Sequence, residues 1–372
     1  MSRVFLLLAL TLAGCATAAP SAPPATPSAD VRPAAPPPPA PPSPEAAPAR
    51  LERGRALIAR GEMAAAATAL REALRLEPDL LPARVSLGRA LYGLGDLDAA
   101  AEELRAALRR HPDALDARLT LARVLIVRQE WAAAREELER ILAAQPEQAD
   151  ARYALGVVRY AQRDVAGAID AYRQVLARDP QQADARYNLA LVLQLARREA
   201  EATPEFVAAA QAGHAHAQYF AGAAYAAGLG VERSLPAAVA WWFRAAGQGV
   251  PEAEEALAQL RQVALGRSRR PAADRQAAEQ AFSDYRAALW NDFPDLAADG
   301  DDTVGGALLR QGRVREAVPV LIREASALSQ PALRRLEALY EAGVDGHWPA
   351  HDPGILGYLR SAAAEGLRQP GR

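Results

Sequence analysis

The chain has 372 residues, of which 43 are basic and 45 acidic, giving a formal net charge of −2 at pH 7. All the basic residues are arginines. They form no basic block, and basic and acidic residues are nearly equal in number, which argues against nucleic acid as a partner. Cys15 is the sole cysteine, so no disulfide can form within one chain. Ala, Leu, Glu and Arg dominate, and β-branched alternation is absent, so composition favours an all-α fold.

The N-terminus has the pattern of an export signal. Arg3 precedes an apolar run from Val4 to Ala13, which is shorter than the roughly 20 residues that a membrane-spanning helix needs. The four residues Leu12-Ala13-Gly14-Cys15 resemble the bacterial lipobox. The resemblance implies a signal peptide over residues 1–15, lipidation of Cys15 and, because Ala16 follows, sorting to the outer membrane. The alternative is an ordinary signal peptide followed by a chance cysteine.

Residues 16–48 are predicted to form a disordered tether rich in Pro and Ala. Positions 20–49 hold 13 of the 28 prolines, and proline removes the amide donor and fixes φ. Extended as polyproline II, about 30 residues would reach on the order of 90 Å. A spacer that holds the folded part clear of a lipid surface is the simplest interpretation.

Residues 49–212 contain five units with a period of 34 residues. Each unit carries an Ala-Arg pair, at Ala49-Arg50, Ala83-Arg84, Ala117-Arg118, Ala151-Arg152 and Ala185-Arg186. The same 34-residue interval separates the closing prolines, the small residues such as Gly88 and the large residues such as Leu104. The units resemble the tetratricopeptide repeat (TPR), a helix-turn-helix of this length, which implies a solenoid of stacked helical hairpins.

The arginine of each Ala-Arg pair stands where that family often has tryptophan. Two interpretations remain open. The long stems pack over the second helix of the previous unit, or the arginines form a track for anions.

Residues 206–260 resemble a Sel1-type repeat, a relative with a longer loop between its helices. The resemblance rests on Gly222, Tyr225, Trp241 and the segment Gly228-Leu229-Gly230-Val231. Ser234 replaces the usual aspartate after that segment, which leaves the capping of the loop open.

The C-terminal third is interpreted as a degenerate second copy. At an offset of 115 residues and without a gap, Leu189–Gly228 aligns with Val304–Gly343. Residues 303–368 are therefore predicted to be a TPR-like plus Sel1-like module. A helical insert and an acidic loop are predicted at 261–302.

No catalytic or cofactor site emerges from the sequence, and we expect neither enzyme activity nor a bound cofactor. His347 and His351 have helical spacing, but Pro349 lies between them, so a metal site is not expected. The acidic loop holds Asp295, Asp299, Asp301 and Asp302 without the alternation of an EF-hand. An enzyme built on residues 250–302 is the remaining alternative.

A binding groove is the main functional hypothesis. In TPR arrays the first helix of each unit lines the concave face, and its inward positions carry over to this chain. The candidate groove residues are Arg55, Arg89, Tyr92, Arg123, Tyr153, Tyr160 and Tyr187. Such a groove would take a protein segment with acidic and apolar side chains. The alternative is that the tyrosines pack between units and the arginines are merely solvated.

The resemblances together imply a non-enzymatic lipoprotein of the outer membrane that faces the periplasm. It would act as a scaffold or adaptor for an envelope assembly, with exopolysaccharide or other secretion machinery as the leading case. The alternatives are a pilotin-like factor for the secretin of type IV pili and an adaptor that regulates cell-wall synthases or hydrolases. The partners would be envelope proteins and the membrane itself, reached through Cys15.

Overall fold

The computed structural model describes residues 46–296, 302–344 and 348–367. Within these ranges the chain folds into 18 α-helices and two short 3-10 turns, and the only β-pairing is an isolated bridge between Val344 and Trp348. The predicted all-α fold is confirmed. The chain divides into two compact units, unit 1 ending at Arg178 and unit 2 beginning at Asp179. Among the described residues, no helix combines the length and the hydropathy that crossing a bilayer requires.

Unit 1 consists of four helical hairpins. Its helices are α1 Ala46–Ala59, α2 Met63–Leu76, α3 Leu81–Leu94, α4 Leu97–Arg110, α5 Leu115–Val127, α6 Trp131–Ala144, α7 Ala149–Ala161 and α8 Val165–Leu176. Each hairpin turn contains a residue with positive φ, at Gly61, Gly95, Gln129 and Arg163. The side chains of Asp96 and Asp164 then cap the second helix by accepting from the amides of Ala99 and Gly167.

Helix α1 begins earlier than the sequence suggests. It starts at Ala46, inside the predicted tether of residues 16–48, and includes Pro48. Pro48 is the third residue of the helix, where the backbone N–H has no intrahelical acceptor, so its missing donor costs little. Cys15 and the rest of the predicted tether up to residue 45 lie outside the described residues.

The small and large positions of the repeat meet in the core of each hairpin. A Cβ placed on Gly88 would lie 2.6 Å from Cγ of Leu104, and one on Gly156 would lie 2.7 Å from Cε1 of Tyr172. The large partners Leu104 and Tyr172 are both fully buried. The side chain of the second helix therefore fills the space that the small residue of the first helix leaves open, as the repeat pattern predicts.

The arginine of each Ala-Arg pair forms a two-ended hydrogen-bonding contact, called here the arginine clamp. In Arg84, Nη2 donates to the carbonyl of Pro78 at 2.7 Å, and Nη1 donates to Oε2 of Glu103 at 2.6 Å. Pro78 closes the preceding repeat, and Glu103 lies on the second helix of the same repeat. The clamp recurs as Arg118 with Pro112 and Glu137, Arg152 with Pro146 and Gln174, and, within unit 2, Arg186 with Pro180 and Glu205.

The clamp adds hydrogen bonds to the packing interpretation of the arginine ladder. The guanidinium of Arg118 is mostly covered, with 15% of its side chain exposed, and its partner Glu137 has 14% exposed. The arginines hydrogen-bond to the closing loop of the preceding repeat and to their own second helix, and Arg118 also lines a surface with Leu108 and Arg109 of the preceding second helix. The arginine ladder therefore contributes hydrogen bonds between repeats.

Unit 2 contains ten helices in the described ranges. They are α9 Ala183–Leu195, α10 Glu199–Gln211, α11 Ala215–Ala227, α12 Leu235–Gly247, α13 Pro251–Ala264, α14 Ala272–Leu289, α15 Val304–Arg310, α16 Val314–Ser326, α17 Gln330–Ala342 and α18 Pro353–Ala364. Helices α16 and α17 start and end 115 residues after α10 and α11. Gly305 of α15 faces Leu321 of α16 as the small and large positions of a TPR unit do, with a Cβ–Cγ distance of 2.4 Å if a Cβ were added.

The loop between α11 and α12 is tightly built. Gly228 and Gly230 both have positive φ, and a Cβ on Gly230 would lie 2.7 Å from the carbonyl oxygen of Glu199. Only glycine fits this combination of conformation and proximity. Ser234 caps α12 by accepting from the amide of Ala237 at 3.3 Å, so serine performs the capping role expected of the usual aspartate.

The C-terminal residues of unit 2 are tied to α13. Arg261, with 7% of its surface exposed, donates through Nε and Nη2 to Oε2 of Glu365 at 2.8 and 2.6 Å. Arg267 adds a bond to the carbonyl of Glu365 at 2.7 Å. The second copy of the helical pattern is thereby fastened to the helical insert that precedes it.

A histidine-rich cluster starts α11. Nδ1 of His214 accepts from the amide of Ala217 at 3.1 Å and so caps the helix. The imidazole stacks on Tyr187 with ring centroids 4.2 Å apart, and Nε2 lies 3.7 Å from Asp184. Burial lowers the pKa of His214 from its ordinary value of 6.5; the Asp184 carboxylate opposes this shift and His216 adds to it.

We expect unit 2 to lose stability as the pH falls below about 6.5. The folded pKa of His214 lies below the unfolded value, so unfolding takes up a proton and the cap contributes fully only above the unfolded pKa. His214→Asn, which keeps a capping oxygen, should flatten the dependence of the urea midpoint on pH between 7.5 and 5.5. His111→Asn, in unit 1 and outside this cluster, is the control, and an unchanged slope in His214→Asn would contradict the expectation.

We also expect Gly88→Ala to destabilise unit 1 by about 1–3 kcal/mol, because the new methyl group overlaps Leu104 in a filled core. Gly247→Ala, on the last turn of α12, meets no atom within 4 Å and should be neutral or stabilising by up to about 1 kcal/mol. Urea unfolding followed by circular dichroism measures both. Equal effects of the two substitutions would refute the close-packing argument.

Candidate functional site

A pocket of about 620 Å³ opens on the first helices of unit 1. Its wall on one side comes from α1 and α3, including Arg55 and Arg89, with Ile58 and Val85 providing apolar surface. On the other side lie the residues that begin α5 and the loop before α7. First helices are adjacent because each second helix, held by its arginine clamp, packs behind its own first helix.

The candidate arginines differ in their electrostatic partners. Nη1 of Arg55 lies 2.8 Å from Oε1 of Glu52 one turn earlier, an exposed pair of little energetic weight. Nη2 of Arg123 lies 2.9 Å from Oδ2 of Asp150 on the next first helix. Arg89 is exposed and has no hydrogen-bond or ion-pair partner in the described part of the chain. It is therefore the cation most available to an occupant of the pocket.

The candidate tyrosines divide into accessible and packed residues. Tyr92 and Tyr153 are partly exposed, and burial raises the pKa of Tyr92 against the opposing effect of Arg123. Tyr160 of unit 1 is 7% exposed and Tyr187 of unit 2 is 4% exposed. Tyr160 and Tyr187 are thus mostly buried, and the imidazole of His214 stacks on the ring of Tyr187.

One wall of the pocket does not follow from the inward positions of the first helices. Asp113, Asp116 and Gln148 line it, and they belong to the start of α5 and the N-cap of α7. The inward-position rule considers only the middle of each first helix, so it passes over the residues at the helix entrance. The recurrence of an acidic residue at Asp116, Asp150 and Asp184 was the available signal.

Neither of the metal-like motifs forms a site in the described residues, where no group of three or more His, Cys, Asp or Glu side chains is arranged to hold an ion. His351 packs edge-on against Tyr340 at 5.1 Å, and His347 lies outside the described residues. Asp295 pairs with Arg313 at 2.7 Å and Asp302 with Arg335 at 2.7 Å. Asp299 and Asp301 also lie outside the described residues.

A second, smaller pocket of about 370 Å³ lies within unit 2, between α11, α12, α13 and α14. Tyr219, Trp242, Leu260 and Val263 are among its apolar lining residues. The indole Nε1 of Trp242 donates to the carbonyl of Tyr219 at 3.2 Å. Trp242 is therefore a packing residue that also forms part of this surface.

Comparison with known proteins supports the repeat assignment. Residues 47–200 match a family model described as the TPR domain of cytochrome c-type biogenesis protein H. A search of curated proteins found no match.

Solved structures of similar fold include MamA from Desulfovibrio magneticus RS-1, with 23% identity, 45% of this chain and 95% of that chain covered, and a TM-score of 0.43. A thermophilic TPR protein from Thermus thermophilus has 23% identity, covers 45% and 91%, and has a TM-score of 0.39. YrrB, described as a TPR protein with an unusual peptide-binding site, has 20% identity, covers 44% and 84%, and has a TM-score of 0.38.

The family match, the 34-residue period and the four helical hairpins of unit 1 agree with one another. The chain contains a tetratricopeptide-type helical repeat domain, a protein–protein interaction scaffold.

Proposed function

We propose that the chain is an adaptor of the bacterial envelope, and that the pocket of unit 1 holds a segment of its protein partner. The observation that carries the proposal is the exposed guanidinium of Arg89, which has no partner among the described residues and borders an apolar surface in a pocket of about 620 Å³. A guanidinium beside apolar surface suits a carboxylate next to an aliphatic or aromatic side chain.

The location is part of the same proposal. Cys15 would carry the acyl chains, the Pro/Ala-rich segment would act as the tether, and the repeats would face the periplasm from the outer membrane. Two or more acyl chains anchor a protein stably, since each buried methylene contributes about 0.8 kcal/mol. Exopolysaccharide or other secretion machinery is the leading candidate for the assembly, with secretin assembly and the regulation of cell-wall enzymes as the alternatives.

A second candidate function comes from the family match. The model over residues 47–200 is named after a protein of cytochrome c-type biogenesis. An adaptor in that process would use the same pocket with a different partner. The identity of the crosslinked partner separates this candidate from secretion, pilus and cell-wall roles.

We expect Cys15→Ser to release the protein from the membrane. Wild-type chain should sediment with outer membranes and yield an acylated N-terminal peptide, whereas the variant should be recovered in the soluble periplasmic fraction without the added mass. Fractionation and mass spectrometry measure both. A wild-type chain that is soluble and unmodified would disprove the anchor.

We expect Arg89→Glu to reduce partner recovery about tenfold or more, because a charge-assisted hydrogen bond contributes about 1.5–3 kcal/mol and about 1.4 kcal/mol corresponds to a factor of ten. The measurement is crosslinked affinity purification from intact cells with the lipidated full chain. Arg71→Glu is the matched control, because Arg71 is an exposed arginine of α2 that does not line the pocket. Equal recovery from wild type and Arg89→Glu would count against the groove.

A further inference from the structure

The pocket of unit 1 has two charged walls of opposite sign. Arg55 and Arg89 stand on α1 and α3, and Asp113 and Asp116 stand at the start of α5. All four side chains are exposed. Val85, one turn before Arg89 on α3, also lines the pocket with an apolar side chain and is 8% exposed. An occupant that carried charge of one sign would be attracted by one wall and repelled by the other.

Asp113 lacks the ion pair that the other repeats of unit 1 have at the same place. One repeat earlier, Asp79 pairs with Arg110, and one repeat later, Glu147 pairs with Arg178. The equivalent position for Asp113 is Ala144, which has no charge to offer. In the described part of the chain, Asp113 has no ion-pair or hydrogen-bond partner for its carboxylate.

Asp116 likewise lacks the ion pair that the equivalent residue forms in the following repeat. Arg123 pairs with Asp150 at 2.9 Å, which joins two successive first helices. The equivalent pair would be Arg89 with Asp116, but among the described residues neither side chain forms an ion pair, and both line the pocket. The pocket thus lies where two ion pairs that neighbouring repeats form are absent.

The pocket also contains a hydrogen-bond acceptor that has no partner among the described residues. Gln148, the N-cap residue of α7, lines the pocket, and its buried Oε1 has no hydrogen-bond partner within the described residues. Its side chain does not cap the helix. A buried acceptor without a partner is costly, so a donor from an occupant would stabilise the complex.

We propose that the occupant is an extended segment of a partner protein that carries a carboxylate side chain, an apolar side chain and a Lys or Arg side chain. The carboxylate faces Arg89, the apolar side chain covers Val85, and the cation lies between Asp113 and Asp116. The order of the charges fixes the direction in which the segment crosses the first helices. This inference rests on the proposed groove function and specifies its ligand.

Selection of phage-displayed random peptides of 12 residues tests the proposal, with the lipidated full chain in detergent micelles as bait. We expect wild type to enrich peptides that contain both an acidic and a basic residue around an apolar one. The double variant Asp113→Asn with Asp116→Asn should bind the selected peptides at least tenfold more weakly and, in a new selection, lose the enrichment of Lys and Arg. Arg89→Glu should lose the enrichment of acidic residues instead.

Glu102→Gln, an exposed residue of α4 away from the pocket, is the matched control and should bind like wild type. Circular dichroism and urea midpoints show whether each variant is folded. Selected peptides that lack a cation, or that ignore the Asn double variant while remaining sensitive to Arg89→Glu, would overturn this inference and leave the groove function standing. No enrichment, or peptides indifferent to every pocket variant, would overturn both.

Discussion

The arginine clamp is the interaction on which the repeats of this protein depend. A single guanidinium satisfies the carbonyl that ends one repeat and a carboxylate or amide on the second helix of the next. In Arg118 and Glu137 the pair is largely covered, at 15% and 14% side-chain exposure, so solvent screens it less than a surface pair. Because the carbonyl lies six residues before the arginine, the clamp also fixes the path of the closing loop.

The pocket is a consequence of that arrangement. With the second helices held behind, the first helices of neighbouring repeats lie side by side, and further ion pairs such as Arg123 with Asp150 tie their exposed ends together. At the second and third repeats two ion pairs are absent: one between two first helices, at Asp116, and one between a closing loop and the end of the next second helix, at Asp113. The exposed charges of the pocket therefore lie where the ion pairs of the repeat pattern are absent. The arginine clamps of the same repeats are retained.

The sequence predicted the parts of the fold that depend on period and side-chain size. The steric fit of Gly88 against Leu104, the hairpin turns and the all-α architecture all follow from residues that recur every 34 positions. The start of α1 was predicted too late, because Pro48 indicates a helix break in the sequence but is harmless in a first turn.

The site was predicted only in part, for a physical reason. Arg55, Arg89, Tyr92 and Arg123 fall on the exposed face of first helices, as the family geometry implies. Tyr160 and Tyr187 occupy equivalent positions but are buried, and for Tyr187 the imidazole of His214 on the following hairpin covers the ring, which no local pattern records. The roles of Asp113 and Asp116 could be recognised only by comparison with the ion pairs at the same places in other repeats.

The clamp also limits how such a protein can change its length during evolution. An insertion between the closing proline and the arginine would separate the two ends of a clamp, so that stretch tolerates little growth. The loop between the two helices of a hairpin carries no such tie, and the loop between α11 and α12, at residues 228–234, is longer than the hairpin loops of unit 1. New surface is thereby gained inside hairpins, while the spacing from one repeat to the next is preserved.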